Sequence, residues 1–273
     1  MNRNSQKHYT DQEKRYIREV GSKRTRHELA DELGRSVDSI SRIANKLDVD
    51  LKRKQRKQRN QTPVSHSFFD NIDSKEKAYV LGYWVADGHI QTNERAHSTL
   101  YNVGFTSKDK EHLETIKNLL SSTHKVSEKS CGSYRLIIGS KTMANALKSL
   151  GYSSSKSSEA HYPDIPSDVN SHFIREVFDG DGCITRDNVK KSYGPSLAVH
   201  FNGTEKLLRG INEGLPVDLN IRECKNKNMW RMRGRSEPAE TACKFMYQNS
   251  KGIRMTRKYE RWVDYQNGEG FYA

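Results

Sequence analysis

The 273-residue chain has no apolar run approaching the ~20 residues needed to cross a bilayer, so a membrane-spanning role is not expected. Its opening stretch, MNRNSQKHYTDQEKR, lacks the apolar centre of a secretory signal, and an intracellular location (cytoplasm or host nucleoid) is expected. The four cysteines, Cys131, Cys183, Cys224 and Cys243, form no CxxC pair, and no histidine stands at zinc-finger spacing. Structural zinc and a disulfide framework are therefore both disfavoured, and four free thiols are expected. What the chain has in excess is positive charge, a net +13. That points to a polyanionic partner, nucleic acid ahead of an anionic membrane. The length allows one medium domain plus a small one.

Much of the charge lies near the start. Residues 1–60 hold 17 Lys and Arg against 9 Asp and Glu, which is +8 of the +13. Three short helices are expected there. Thr10 with Glu13, and Thr25 with Glu28, have the spacing of a capping box, Gly34 reads as a C-terminal cap, and Ser36 opens a third helix. Val37, Ile40, Ile43, Ala44 and Leu47 share one face of that helix. Helix, glycine turn and amphipathic helix have the shape of a helix-turn-helix, expected over residues 1–52. Its DNA-facing candidates are Arg35, Ser39, Arg42 and Lys46. A basic linker over 53–67 follows from KRKQRKQR, in which Lys52, Arg53, Lys54, Arg56 and Lys57 are candidates for tracking phosphates. The bland alternative is a small helical bundle that binds protein, and the charge weighs against it.

From residue 68 onward the chain repeats itself. AYVLGYWVADGHI (Ala78–Ile90) and FIREVFDGDGCI (Phe173–Ile184) are proline-free, mostly apolar runs ending in Asp-Gly, with Asp181 standing 94 positions after Asp87. As helices, both place a carboxylate in the last turn, where the macrodipole disfavours it. An Asp-Gly pair alone is an ordinary turn signal. Its recurrence suggests a site needing two carboxylates side by side for a hard divalent cation. Each run is followed by strand, strand, helix, strand, strand and helix signals, and Asp109 and Glu205 open the first helices at offsets of 22 and 24. The expected fold class is α+β: two tandem pseudo-symmetric αββαββα units over 68–160 and 161–273, plus the small all-α module.

VLGYWVADG (Val80–Gly88) and IREVFDGDG (Ile174–Gly182) resemble the nine-residue motif of the LAGLIDADG homing endonucleases. HYPDIP before the second motif and IRMTRKYERW near the C-terminus are similar to that family's linker and closing segments. The resemblance implies a monomer in which the motif helices pack at the centre. Each half then offers a saddle of antiparallel strands to double-stranded DNA, with no membrane or protein partner. It also implies that Asp87 and Asp181, with the adjoining Gly88 and Gly182, hold Mg2+ (or Mn2+). Glu176 stands in the second motif where the family usually has a small residue, and Gly82 keeps that residue in the first.

Basic residues for the scissile phosphates are expected where the fourth strand of a half meets its last helix. They are Lys141 in the first half, Arg233 or Arg235 in the second, and Lys258 as a further candidate. Strand residues expected to read DNA are Gln91, Asn93, Asn102 and Arg135, and then Arg186, Asn188, Lys190, His200, Arg222, Lys225, Lys227, Arg231 and Arg233. A register shift of one residue would move half of these to the core side. The expected activity is phosphodiester hydrolysis on both strands of a long site, in a free-standing protein of intron or phage origin. Two rivals stay open: a non-catalytic transcription regulator on the same scaffold, and an RNA-splicing maturase. Retention of both acids weighs towards the enzyme, and Glu176 weighs towards the regulator.

Overall fold

A computed structural model describes residues 8–52, 62–95, 98–153, 159–188, 195–224 and 229–268. The chain divides into two compact units, 1–61 and 62–273.

The first unit holds α1 (Asp11–Val20), α2 (Arg26–Leu33) and α3 (Val37–Lys46). Both capping boxes form: Thr10 and Thr25 each accept the backbone N–H of the glutamate three residues on, whose carboxylate accepts theirs. Gly34 ends α2 at φ 63°, a left-handed conformation that a side chain would resist. Leu29, Ala30 and Ile40 make a small core, with Val37 and Leu51 against it.

The second unit is α+β. Its first half runs α4 (Lys75–Asp87), β1 (Gly88–Arg95), β2 (Ser98–Ser107), α5 (Lys110–Leu119), β3 (Ser127–Glu128), β4 (Tyr134–Gly139) and α6 (Lys141–Ser149). The second runs α7 (Asn170–Asp181), β5 (Cys183–Asn188), β6 (Pro195–Gly203), α8 (Glu205–Gly214), β7 (Asn220–Cys224), β8 (Met229–Arg235) and α9 (Glu237–Tyr247), followed by α10 (Thr256–Gln266). Each half builds an antiparallel four-stranded sheet of the same order, β1-β2-β4-β3 and β5-β6-β8-β7.

The registers superimpose in sequence. Gly88 stands opposite Phe105 and Phe105 opposite Leu136. The pairing of Cys183 with His200 and of Phe201 with Met232 makes Gly182, Phe201 and Met232 their counterparts. Val103, Phe105, Leu136 and Ile138 of one sheet, and Leu197, Val199, Phe201 and Met232 of the other, are buried against helices. Alternate residues therefore lie on the opposite, outward face.

The two motif helices pack directly on each other at the centre of one continuous core. Close approach is made by two glycines. A Cβ on Gly82 would lie 2.6 Å from the Phe173 carbonyl oxygen and 3.0 Å from Glu176 Cβ, and one on Gly180 would lie 2.5 Å from Ala86 Cβ. Residues 82 and 86 thus meet 173–176 and 180 in the same order. The helices run parallel and bring their C-terminal ends together.

Candidate active site

Asp87 and Asp181 close α4 and α7 and are both exposed, while the residues one turn before them are buried. A Cβ on Gly180 would stand 3.6 Å from Asp87 Oδ2. The first carboxylate therefore sits against the last turn of the other helix, one residue from Asp181. Two exposed oxygen donors at adjoining helix ends are a hard, open donor set. Mg2+ takes one or two carboxylates and completes its shell with water and phosphate oxygens. The residues fit such an ion through their carboxylates only. The Gly182 carbonyl accepts the Lys258 ammonium at 2.6 Å, which removes it from the expected ligand list. Gly88 is buried and paired with Phe105 in the β1–β2 ladder. Among the described residues, no group of three or more His, Cys, Asp or Glu side chains is placed to hold a metal.

Lys258 is not a phosphate-facing residue. It is 3% exposed and donates to the carbonyls of Phe178 (2.6 Å), Asp179 (2.8 Å) and Gly182 (2.6 Å). It caps the C-terminal end of α7, supplying the positive charge that the macrodipole favours beside Asp181. Burial lowers its pKa to about 8, with the neighbouring Asp179 opposing.

Below the site lies a polar web on α7. Glu176 is fully buried and its Oε1 meets His112 Nε2 of α5 at 2.6 Å. Burial lifts the Glu176 carboxyl to about 7, with His112 pulling it back. Burial works against the charge on His112, but Glu176 holds its pKa above the ordinary value. The glutamate therefore leaves the helix contact intact, because Gly82 provides the space and the carboxylate turns away to His112. Arg175 donates to the Met246 carbonyl (2.9 Å) and meets His172 Nδ1 (2.9 Å). Asp179 accepts from the Tyr247 hydroxyl and the Met255 N–H, both at 2.8 Å.

The register relocates the basic candidates. Level with the two aspartates, across each sheet, stand Thr106 paired with Arg135 and Asn202 paired with Arg231. Asn202 Nδ2 donates to the Asp181 carbonyl (3.2 Å) and its Oδ1 accepts from Arg231 Nε (3.0 Å). Arg235 is exposed four residues further along β8, roughly 13 Å at ~3.3 Å per residue, and Lys141 is exposed beyond the far end of β4. Neither is beside the carboxylates. Asn202 was not among the expected site residues. Its signal was the alternation of Val199 and Phe201, which puts residues 200 and 202 on the outward face.

Gln91, Asn93, Asn102 and Arg135 lie on the outward face of the first sheet, and His200, Arg222, Arg231 and Arg233 on that of the second. Arg186 does not. It pairs with buried Leu197 and shares the parity of buried Ile184, so it faces the helices; the side chain of Asn188 lies outside the described residues. Lys190, Lys225 and Lys227 lie outside the described residues, as do Arg53, Lys54, Arg56 and Lys57 of the linker.

In the first unit, Arg35 is not an outward reader either. Its guanidinium pairs with Glu13 at 3.0 Å and stands 4.5 Å over the Tyr9 ring. Ser39 accepts the Tyr9 hydroxyl (3.0 Å). Arg42, Lys46 and Lys52 are exposed.

With this geometry in place, comparison defines the class. Residues 74–151 match the family model described as LAGLIDADG-like domain, so the first half is such a domain. The fold is similar to that of the meganuclease I-SmaMI. A single lysine-to-alanine mutant of I-SmaMI is similar with a TM-score of 0.52 at 10% identity, covering 71% of this chain and 90% of that one. Meganuclease I-SmaMI bound to uncleaveable DNA gives the same values. I-SmaMI bound to uncleaved DNA target in the presence of calcium ions gives 0.51 at 11% identity, covering 71% and 90%. At such identities the likeness is one of fold. No curated protein matches the chain by sequence. The architecture read from the two motifs is therefore shown, and the family model covers the first of the two repeats.

Proposed function

We propose that the chain is a site-specific double-strand DNA endonuclease working with a divalent ion, Mg2+ or Mn2+, held by Asp87 and Asp181. The observation that carries this is the close approach of the two helix ends, with Asp87 Oδ2 against the turn that bears Asp181. Two carboxylates so close would repel unless a cation sat between them. When bound, such an ion supplies Lewis-acid stabilisation of phosphate charge and an activated water. The chain's own part is positional. Gly82 and Gly180 hold the helices together, Lys258 and Asn202 fix the last turn of α7, and Arg135 and Arg231 stand level with the acids to meet phosphate charge.

Both halves are in one chain, so a monomer suffices. The two outward sheet faces are the proposed DNA surface. I-SmaMI is a DNA-bound relative in fold, which supports this placement. The N-terminal unit is proposed to extend the DNA contact as a helix-turn-helix, through Arg42 and Lys46 of α3.

The test is incubation of the protein with a randomised duplex library and Mg2+. The wild type is expected to cut a defined sequence on both strands. Asp87→Asn and Asp181→Asn should each lose at least about 100-fold in cutting (~2.7 kcal/mol or more of transition-state stabilisation) while binding the same sequence. Specific binding without cutting by the wild type would establish a non-catalytic regulator instead.

A further inference from the structure

The two outward faces can be compared position by position, because their registers correspond. On the central strands, Arg135, Ile137 and Gly139 of β4 stand where β8 has Arg231, Arg233 and Arg235. Two positions out from the aspartates, Gly139 leaves the surface to Gln91 and Asn102, which face each other across β1 and β2. At the matching place in the second sheet, Arg235 stands beside Ala198 and Thr185. One face offers carboxamides where the other offers guanidinium groups.

Arg222 and Arg231 are directly opposed on β7 and β8, and like charges so placed are destabilising. A row of cations held at that cost fits a polyanion. Arg231 is oriented through its Nε by Asn202, so its side chain is aimed before any ligand arrives. Residues two apart on a strand are roughly 6.8 Å apart, close to two base-pair steps at ~3.4 Å each. Arg233 and Arg235 are therefore spaced to address every second base pair along a groove.

We infer that the DNA site is non-palindromic in a defined sense: guanines lie under Arg233 and Arg235 of the second sheet, and adenine under Gln91 and Asn102 of the first. Arginine reads guanine O6 and N7 through two donors, whereas a carboxamide reads adenine N6 and N7 through one donor and one acceptor. The contrast is sharpest at the position of Gly139 and Arg235, roughly four base pairs out from the level of the aspartates by the spacing above. This inference rests on the DNA-cleavage reading and adds to it the base composition of the two half-sites.

The experiment is selection of bound duplexes from a randomised library by the full chain with Ca2+, for the wild type, Arg235→Gln and Gly139→Arg. A Cβ on Gly139 meets only Asn102 Oδ1, at 3.8 Å, so the added side chain has room. The wild type should enrich one guanine-bearing and one adenine-bearing half-site. Arg235→Gln should lose guanine preference at one position by roughly tenfold, and Gly139→Arg should move the matching position of the other half from adenine towards guanine. Enrichment of a specific site with equal guanine content in both halves would overturn the inference and leave the DNA-binding reading standing. So would an Arg235→Gln variant that weakens all sequences equally with a shallower salt dependence, the mark of a phosphate contact. Absence of any enriched sequence would overturn both.

Discussion

The two motif helices do the same job with different interiors. Along α4 the buried residues are Ala78 to Val85, aliphatic or aromatic throughout apart from Gly82. Along α7 they are His172 to Asp179, and four of those eight are His172, Arg175, Glu176 and Asp179. Burying polar groups is tolerable only when each finds partners. Here partners come from three places: His112 on α5 of the other half, Met246 and Tyr247 on α9, and Met255 and Lys258 around the start of α10. α4 is thus held by shape, and α7 by shape plus a polar web that reaches across the pseudo-two-fold. The lesson is that pseudo-symmetric halves need equal backbones at the shared site but not equal means of holding them.

The largest test of that contrast is Lys258→Met. It leaves the carbonyls of Phe178, Asp179 and Gly182 without their buried cation, and should cost about 3 kcal/mol, read as a lower denaturant midpoint. A change within 0.5 kcal/mol (roughly the scatter of neutral surface substitutions) would show that α7 does not depend on the cap.

Next come the glycines. Gly82→Ala and Gly180→Ala should each destabilise by about 1–3 kcal/mol through overpacking. Gly180→Ala should also reduce cutting more than it reduces stability, since it acts beside both carboxylates. Equal losses of cutting in the two variants would place the sensitive contact elsewhere.

The Glu176–His112 pair gives a pH signature. Both groups have raised pKa values in the folded protein, Glu176 from 4.5 to about 7 and His112 above 6.5. The folded state then binds more protons than the unfolded one, so stability from this pair falls as pH rises. Measured by urea unfolding, the stability of the wild type relative to Glu176→Gln should decline from about pH 4.5 through 7 and on through the folded pKa of His112. A relative stability that rises over that window would contradict the pairing.

The smallest effect concerns Asn202, which stands where the first half has Thr106. Asn202→Thr removes two partly exposed hydrogen bonds, and should cost less than about 1 kcal/mol in thermal or chemical unfolding. A larger loss would mean that Asn202 supports α7 as heavily as Lys258 does.

Much of this was legible from the chain. Capping boxes, the alternation on β4 and β8, and the recurrence of Asp-Gly after apolar helices follow from local chemistry, and the elements appear where those signals put them. The polar stripe of α7 was also written in order, since 172, 175, 176 and 179 fall on one helical face. What it touched across the fold could not be read, because those partners lie 64 to 79 positions away. Arg186 was misassigned for a related reason: strand parity is decided by which neighbours pack below, here Leu197 and Val199.

By itself, then, the sequence determined the duplicated architecture, the helix ends that carry Asp87 and Asp181, and the cationic character, because each depends on periodicities or residue types within a short window. Tertiary structure alone decided that Glu176 pairs with His112, that Lys258 caps a helix and that Arg231 stands level with Asp181. Those outcomes depend on which side chains reach one another across the packed helices and sheets, and a residue's type does not specify its neighbour.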